Sequence, residues 1–345
     1  MTIGILGAGV AGLSAAYHLN SSDYVIIEAG HDVGGHAGSV IISGFTFDYG
    51  PHILYSRSGY VKDLLKGLLG SNIIFNGRRR NYVYVHSRYV PFPFEANLCR
   101  LPRTVIEDCV LGFLRRRPSC NSLTFETWII ETFGEGIAKH YMIPYNRKLW
   151  KHDLSDMSHS WVAERVVTPS LEDVVLGAVR SATKEFGFNA SFWYPKVGGI
   201  GAIAQALVTK LNRPILGDKV VRIKDKGKRL QVSTKRRTYE FSAILSSIPL
   251  PDLPNMLDDM PSEVERACKS LVFNSLCSVF IGLEHEATPK WTAAYYPDSS
   301  LNFHRISFPS VLSPMTVPAG KSSINVEITY KKGGAIDTQQ AIAEC

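Results

Sequence analysis

Gly7, Gly9, Gly12 and Glu28 are the residues whose types and spacing point most directly to chemistry. In the run Gly7-Ala8-Gly9-Val10-Ala11-Gly12 the first glycine permits a tight turn, the second lets a pyrophosphate approach the backbone, and the third lets a helix pack closely on a strand. Glu28 stands where a carboxylate accepts from ribose hydroxyls. The implied chemistry is recognition of a dinucleotide. A second group, Tyr145, Asn146 and Trp150, places stacking faces and a bidentate amide within six residues, as a carbohydrate or nucleotide pocket requires. A helix end with Trp150 in the core accounts for that group equally well. His52 emerges just after a turn fixed by Gly50 and Pro51, where an imidazole serves either as a hydrogen-bonded structural group or as a catalytic one.

Elements must hold these residues in place. Residues 3–6 are an apolar run of strand length, Leu13, Ala16, Tyr17 and Leu19 recur at helix spacing, and a second apolar run, 24–27, ends on Glu28. That is one βαβ unit, with the helix N-terminus facing the anion. Residues 45–49 alternate aromatics along a short strand, and 61–69 read as an amphipathic helix. Over 81–94, aromatic and branched residues alternate around a hairpin turn at His86-Ser87, and Pro91 and Pro93 end central pairing. The pattern is helical over 101–133, stops at Gly134, resumes over 136–142, and is helical again over 160–165, ahead of Pro169; residues 189–191 lead out of this region. A glycine-rich stretch, 193–201, precedes a helix over 202–211. Strands over 219–224 and 230–234 flank a hairpin at 225–228, and a further strand, 243–248, ends at Pro249. Residues 276–283 and 323–329 are strand-like, and a helix begins at Gln339.

A chain of 345 residues favours two or three domains, and 45% hydrophobic with 20% charged residues is a soluble globular composition. The apolar N-terminus is interrupted by glycines and has no basic region before it, which argues against a signal peptide. No run of about 18 apolar residues offers a membrane span. Cys99, Cys109, Cys120, Cys268, Cys277 and Cys345 lack paired spacing, as reduced thiols in a cytoplasmic protein would. The ten histidines lack ligand spacing too, so no metal site is expected. A net charge of +7 favours anionic partners. Arg78-Arg79-Arg80 and Arg115-Arg116-Arg117 read as solvated charge, with a phosphate-bearing ligand or an anionic membrane surface near 111–117 as the alternatives. Nucleic acid is not expected, because such a face would interleave basic and aromatic residues widely and only Tyr82 and Tyr84 do so.

After Glu28 comes Ala29-Gly30-His31-Asp32-Val33-Gly34-Gly35-His36-Ala37-Gly38-Ser39. An acid closing the second strand, followed by Gly-Gly and then a small hydroxyl residue, resembles the two-dinucleotide-binding-fold flavoproteins. The glycine pair removes side chains where backbone must approach an anion. The resemblance implies FAD rather than NAD, with cofactor contacts from Gly7, Gly9, Ala11, Gly12, Glu28, Ala29, Gly34, Gly35, Ser39, Gly50, Pro51 and His52. Val221 would touch the adenine through its backbone, and the run Ser246-Ser247-Ile248-Pro249 would close the sheet.

Later motifs carry a narrower resemblance: Gly50-Pro51-His52-Ile53, Val90-Pro91-Phe92-Pro93-Phe94, Pro144-Tyr145-Asn146-Arg147-Lys148-Leu149-Trp150, Glu164-Arg165-Val166, and Tyr295 with Phe303-His304-Arg305. Together they resemble the UDP-galactopyranose mutases, kin to flavin amine oxidases. The resemblance implies an α/β fold: an FAD-binding Rossmann-like (two-dinucleotide-binding) domain with a helical insertion and an antiparallel-sheet substrate domain. Residues 1–75 and 191–250 would form the FAD-binding domain, 76–100 sheet strands, 101–190 the helical substrate domain and 251–345 the antiparallel-sheet substrate domain. The family's C-terminal FAD segment is missing after Ala343-Glu344-Cys345, and weak FAD retention is the expectation.

The implied reaction interconverts UDP-galactopyranose and UDP-galactofuranose, or a related sugar nucleotide, through a flavin N5–sugar adduct. Reduced FAD would be the active form, with NAD(P)H or another reductant supplying electrons. His52 would sit against the flavin; Arg165 and Arg305 would clamp the diphosphate; Phe92, Tyr145, Asn146, Trp150 and Tyr295 would line the substrate channel. For each arginine a surface ion pair is the alternative. Arg57 replaces a second histidine and Glu95 a polar amide of the family pattern. An amine- or protoporphyrinogen-oxidase-like enzyme and an inactive nucleotide-binding protein are the other readings, and a homo-oligomer is compatible with all of them.

Overall fold

The computed structural model describes residues 2–19, 21–76, 79–119, 122–162, 165–182, 186, 191–287 and 289–345. Arg78, Cys120, Glu164 and residues 189–190, singled out above, lie outside the described residues. The chain divides into two units, Met1–Ile74 with Tyr194–Val272 and Phe75–Trp193 with Phe273–Cys345.

The first unit is organised on a three-stranded parallel sheet. Its central strand β1 (Ile3–Leu6) pairs with β2 (Tyr24–Ile27) on one side and with Ala243–Ser246 on the other. Helix α1 (Val10–His18) connects β1 to β2. Ile5, Leu6, Ile26 and Ile27 are no more than 1% exposed, which is why the strands read as unbroken apolar runs instead of alternating ones. A three-stranded antiparallel sheet (Val220–Asp225, Leu230–Thr234, Thr238–Phe241) packs Val220, Ile223, Val232 and Phe241 against Leu6 and Ile27. Gly4 is required there, because a Cβ would stand 2.5 Å from the Phe241 ring. The hairpin Ser39–Ile42/Phe45–Asp48 and the helices Gly59–Leu69 and Ala202–Val208 complete the unit, which also takes in residues 251–272.

The second unit carries a six-stranded sheet in the order Asn274–Leu283, Ser322–Lys331, Arg305–Ser307, Ala293–Tyr295, Asn81–Val85, Arg88–Pro91. It is antiparallel except where Ala293–Tyr295 runs parallel to Asn81–Val85. The hairpin turn falls at His86 and Ser87 with φ of +50° and +57°. One face of the strand Asn81–Val85 packs Val83 into a core built with the helices Arg103–Arg115 and Phe125–Ile137, while its other face gives Tyr82 and Tyr84 to a second cluster with Tyr296 and Phe303. The two helices touch through Gly112, Gly134 and Gly136; a Cβ on Gly136 would stand 2.1 Å from the Asp108 carbonyl.

The helical stretch 101–133 holds two helices: the first ends at Arg115, and the second begins at Phe125 from a capping box of Thr124 and Thr127. Gly134, expected as a stop, is a kink at φ +77°, after which the chain turns helically to Ile137 and enters a π-helical turn, Ala138–Met142. Residues 160–162 form a turn and not the expected helix, while Leu171–Val179 and Ser262–Ser270 are helices that the sequence pattern did not single out. Among the described residues no helix is long and apolar enough to cross a membrane.

Candidate functional site

In the first unit the glycines shape a cradle from backbone. Gly7 has φ +104°, and a Cβ on Gly12 would stand 2.0 Å from the Gly7 carbonyl oxygen, so the helix lies against the turn only without a side chain. Helix α1 opens with Gly9 as its N-cap, with no side-chain cap and no acid in the first turn. Its leading N–H groups and dipole therefore face outward for an anion. Gly34 donates its N–H to the Ala8 carbonyl (2.9 Å), bringing the glycine pair alongside; a Cβ on Gly35 would stand 3.3 Å from Gly9 Cα. Around this lies a cavity of about 1010 Å³ lined by Gly7, Gly9, Ala11, Glu28, Ala29, Gly34, Gly35, His52 and Val221, among others. Glu28 is pinned at its rim, Oε2 accepting from Ala8 N (2.6 Å) and Oε1 from Gly30 N (2.7 Å). His52 Nδ1 bonds the Gly50 carbonyl at 2.8 Å.

Not every expected contact lines that cavity. Gly12, Ser39, Gly50 and Pro51 are absent from its described walls. The Ser39 hydroxyl is engaged elsewhere: it donates to Asp48 Oδ1 (2.6 Å) and accepts from Gly201 N (2.8 Å). Asp48 also accepts from Tyr194 OH (2.6 Å) and Ile200 N (2.9 Å), and burial pushes its carboxyl above the usual range. Ser39 and Asp48 thus fix the turn at Gly198 and Gly199, where a Cβ on Gly199 would stand 2.4 Å from Asp48 Oδ1. Asp218, Lys219, Asp252 and Asn255 line the cavity as well. Asp218 and Lys219 come from the loop before Val220–Asp225 and Asp252 and Asn255 from the 3-10 helix Leu250–Asn255, none with motif spacing, so sequence reasoning had no signal for them. The cavity size, the uncapped helix end and a cradle that a Cβ would crowd fit the pyrophosphate and ribose of a dinucleotide such as FAD.

The second unit gathers aromatics and guanidinium groups. Tyr145 meets Tyr295 edge-on at 5.4 Å between ring centroids, and Phe92 meets Tyr295 at 5.8 Å. Tyr295 OH accepts from Asn81 Nδ2 at 2.8 Å and from Arg79 Nη2 at 3.4 Å. Burial, then Tyr295, holds the Tyr145 hydroxyl above its usual pKa. Arg305, paired in register with Tyr295, forms a two-pronged ion pair with the fully buried Glu327; Nη2 to Oε1 is 2.7 Å and Nε bonds Oε2. Burial pulls the guanidinium pKa down, but the Glu327 carboxylate outweighs it and the net shift is upward. Arg305 is therefore a fixed cation whose Nε and Nη2 are already occupied.

Asn146 and Trp150 do not point their polar atoms outward. Asn146 Nδ2 donates to the Met142 carbonyl (2.8 Å) and its Oδ1 accepts from Trp150 Nε1 (3.1 Å). Arg165 is exposed, and no contact among the described residues joins it to Tyr145, Tyr295 or Arg305. Two residues were missed. Arg79, read as solvated charge, turns toward Tyr295 and reaches the same hydroxyl as Asn81, two residues on at the start of the strand Asn81–Val85; it lies outside that strand, so alternation gave no signal for it. Lys148 is buried, with Nζ donating to the carbonyls of Tyr296 (3.0 Å) and Asp298 (2.6 Å), and burial lowers its pKa to about 8. Among the described residues no three histidine, cysteine or acidic side chains converge as a metal site.

Comparison with solved structures shows a likeness to reduced UDP-galactopyranose mutase, with TM-score 0.92 and 28% identity over 100% of this chain and 77% of that one. An oxidoreductase from Methanosarcina mazei shares the fold at TM-score 0.69 and 14% identity, over 100% of this chain and 82% of that one. Among curated proteins, coproporphyrinogen III oxidase of Staphylococcus aureus (strain NCTC 8325 / PS 47) is 30% identical over 97 residues, 27% of this chain and only 21% of that protein's own length. The model of the flavin containing amine oxidoreductases matches residues 10–340. The architecture is an α/β FAD-binding fold, and the chain belongs to the family of flavin containing amine oxidoreductases.

Proposed function

We propose that this protein is an FAD-dependent sugar-nucleotide mutase that interconverts the pyranose and furanose forms of UDP-galactose or a close relative, in the cytoplasm. The observation that carries the reading is the grouping of Phe92, Tyr145 and Tyr295 with Arg79 and Arg305, which offers stacking faces beside fixed positive charge. The likeness to UDP-galactopyranose mutase over the whole chain points the same way. When bound, FAD would supply the redox and nucleophilic chemistry for which no side chain here is built. The chain's own residues have simpler tasks. The backbone of Gly9 and Gly35 and the first turn of α1 would hold the pyrophosphate, Glu28 the ribose, Val221 the adenine, and His52 would support the flavin's reduced form. Arg305 would spread charge on the departing diphosphate through its remaining Nη1, with Arg165 as a second clamp; Asn146 would position Trp150 on the substrate.

Anaerobic incubation with dithionite and UDP-galactofuranose tests this, with chromatographic detection of the pyranose form. No conversion by FAD-loaded, reduced protein would overturn it. A second reading, an oxidase, is favoured by the stretch shared with coproporphyrinogen III oxidase; oxidation of an amine or porphyrinogen with peroxide release would establish it instead. UDP affinity should fall by about 1.5–3 kcal/mol when Arg305 loses its charge. Measuring it in an Arg305→Met/Glu327→Met double variant leaves no buried charge unpaired, and an unchanged affinity would remove Arg305 from the site.

A further inference from the structure

We propose that His86 and His140 form a two-imidazole site for a divalent transition-metal cation, with Asp108 as the residue that orients His140. His86 sits at the tip of the hairpin and His140 in the π-helical turn Ala138–Met142, 54 residues apart in sequence, so no spacing rule reveals the pair. His86 Nε2 lies 3.1 Å from His140 Nδ1, and His140 Nε2 lies 3.1 Å from Asp108 Oδ2. A bound cation would replace the proton that His86 Nε2 donates to His140 Nδ1, with His86 then carrying its proton on Nδ1. Asp108 can only accept, so the His140 proton is on Nε2 and its Nδ1 is the accepting side. This is the arrangement in which a carboxylate fixes the tautomer of a metal-ligating histidine.

With Zn–N bonds of about 2.0–2.1 Å at a tetrahedral angle, two ligand nitrogens stand roughly 3.3–3.4 Å apart. The observed separation is close to that, and His86 is exposed at a turn where its ring can move and where water can complete the coordination. Lys139 works against the ion: its Nζ is 3.4 Å from Asp108 Oδ2 and shares that carboxylate. A bound cation would tie the hairpin carrying Asn81 and Phe92 to the turn that leads into Tyr145 and Trp150, all within the second unit.

The test is equilibration of the chelator-treated full chain with zinc chloride against a chromophoric chelator near neutral pH. The wild type should hold one equivalent of zinc that both His86→Ala and His140→Ala lack. Asp108→Asn should weaken it by about 10–100-fold, and Lys139→Met should strengthen it. Zinc should raise the thermal midpoint of the wild type but not of His86→Ala. Because His86 is exposed on a turn, its variant keeps the fold, which circular dichroism checks. Superimposable zinc isotherms for the wild type and His86→Ala, or no zinc uptake by the wild type, would overturn the site; an unweakened Asp108→Asn would overturn the orienting role.

Discussion

The cradle of the first unit and the aromatic group of the second are built from opposite materials. Around Gly7, Gly9 and Gly35 the contacts offered to a ligand are backbone N–H groups, and the side chains that would interfere are missing. Around Tyr295 the contacts are side chains, and many have already spent their hydrogen bonds on one another: Arg305 on Glu327, Asn146 on Trp150 and Met142, and Asn81 on Tyr295. A backbone site is intolerant of added atoms. A side-chain site is intolerant of lost partners.

The largest effect should follow from adding atoms to the cradle. Gly12→Val must place Cβ where the Gly7 carbonyl already stands, 2.0 Å away, and backbone cannot give way as a flexible side chain can. The helix would lift from the turn, and flavin bound per chain, read by absorbance after gel filtration, should fall to near zero. Flavin at the wild-type level would show that the cradle is not what holds it. Next in size is the loss of a partner in the second unit. Glu327→Gln leaves the Arg305 guanidinium short of its counter-charge in a part-buried position, which should cost about 3–5 kcal/mol in urea unfolding. If the Arg305→Met/Glu327→Met pair restores most of that loss, the cost belongs to the uncompensated charge and not to lost packing.

The same contrast explains what the sequence made legible. The β1–α1–β2 unit and the glycine pair could be read because backbone requirements leave a spacing in the chain: a glycine stands where φ is positive or a Cβ has no room. The hairpin at His86-Ser87 was legible through alternation. Ser39 was assigned to the cofactor from motif position alone, and no local pattern reveals that a residue nine positions on, Asp48, takes its hydroxyl. Glu327 was invisible as the partner of Arg305 because cross-strand register, not sequence distance, brings them together. Of the helix expected over 160–165, residues 160–162 form a turn instead, because apolar residues at helix spacing say nothing about whether tertiary packing continues the helix.

Glu95 sharpens the comparison further, since it is a side chain in the second unit with an unsatisfied atom. It is 3% exposed and lies in the helical core, Oε2 has no partner, and burial pushes its carboxyl pKa up to about 7 from 4.5. The folded state therefore holds a proton that the unfolded state has released. Stability falls as pH rises from 4.5 to about 7. The integrated loss is about 3 kcal/mol. Glu95→Gln should match the wild type at the acid end of that window and exceed it by roughly that amount above it. Urea unfolding of both proteins at the two ends of the window reads the difference, and parallel pH dependences would show that Glu95 is not the source.

Asn146 should show the smallest effect and tests the contrast most finely. Both ends of its amide are used, one on Trp150 of its own helix and one on Met142 of the preceding π-helical turn, so Asn146→Ala leaves the Trp150 indole N–H and the Met142 carbonyl without those bonds. A loss of about 1–2 kcal/mol in stability is expected. If the second unit is a site whose polar groups first satisfy one another, UDP affinity should change only through the freed Trp150, and Asn146→Ala and Asn146→Ala/Trp150→Phe should weaken UDP binding alike. A further loss in the double variant would mean that Asn146 holds Trp150 for structure alone and that the indole meets the ligand unaided.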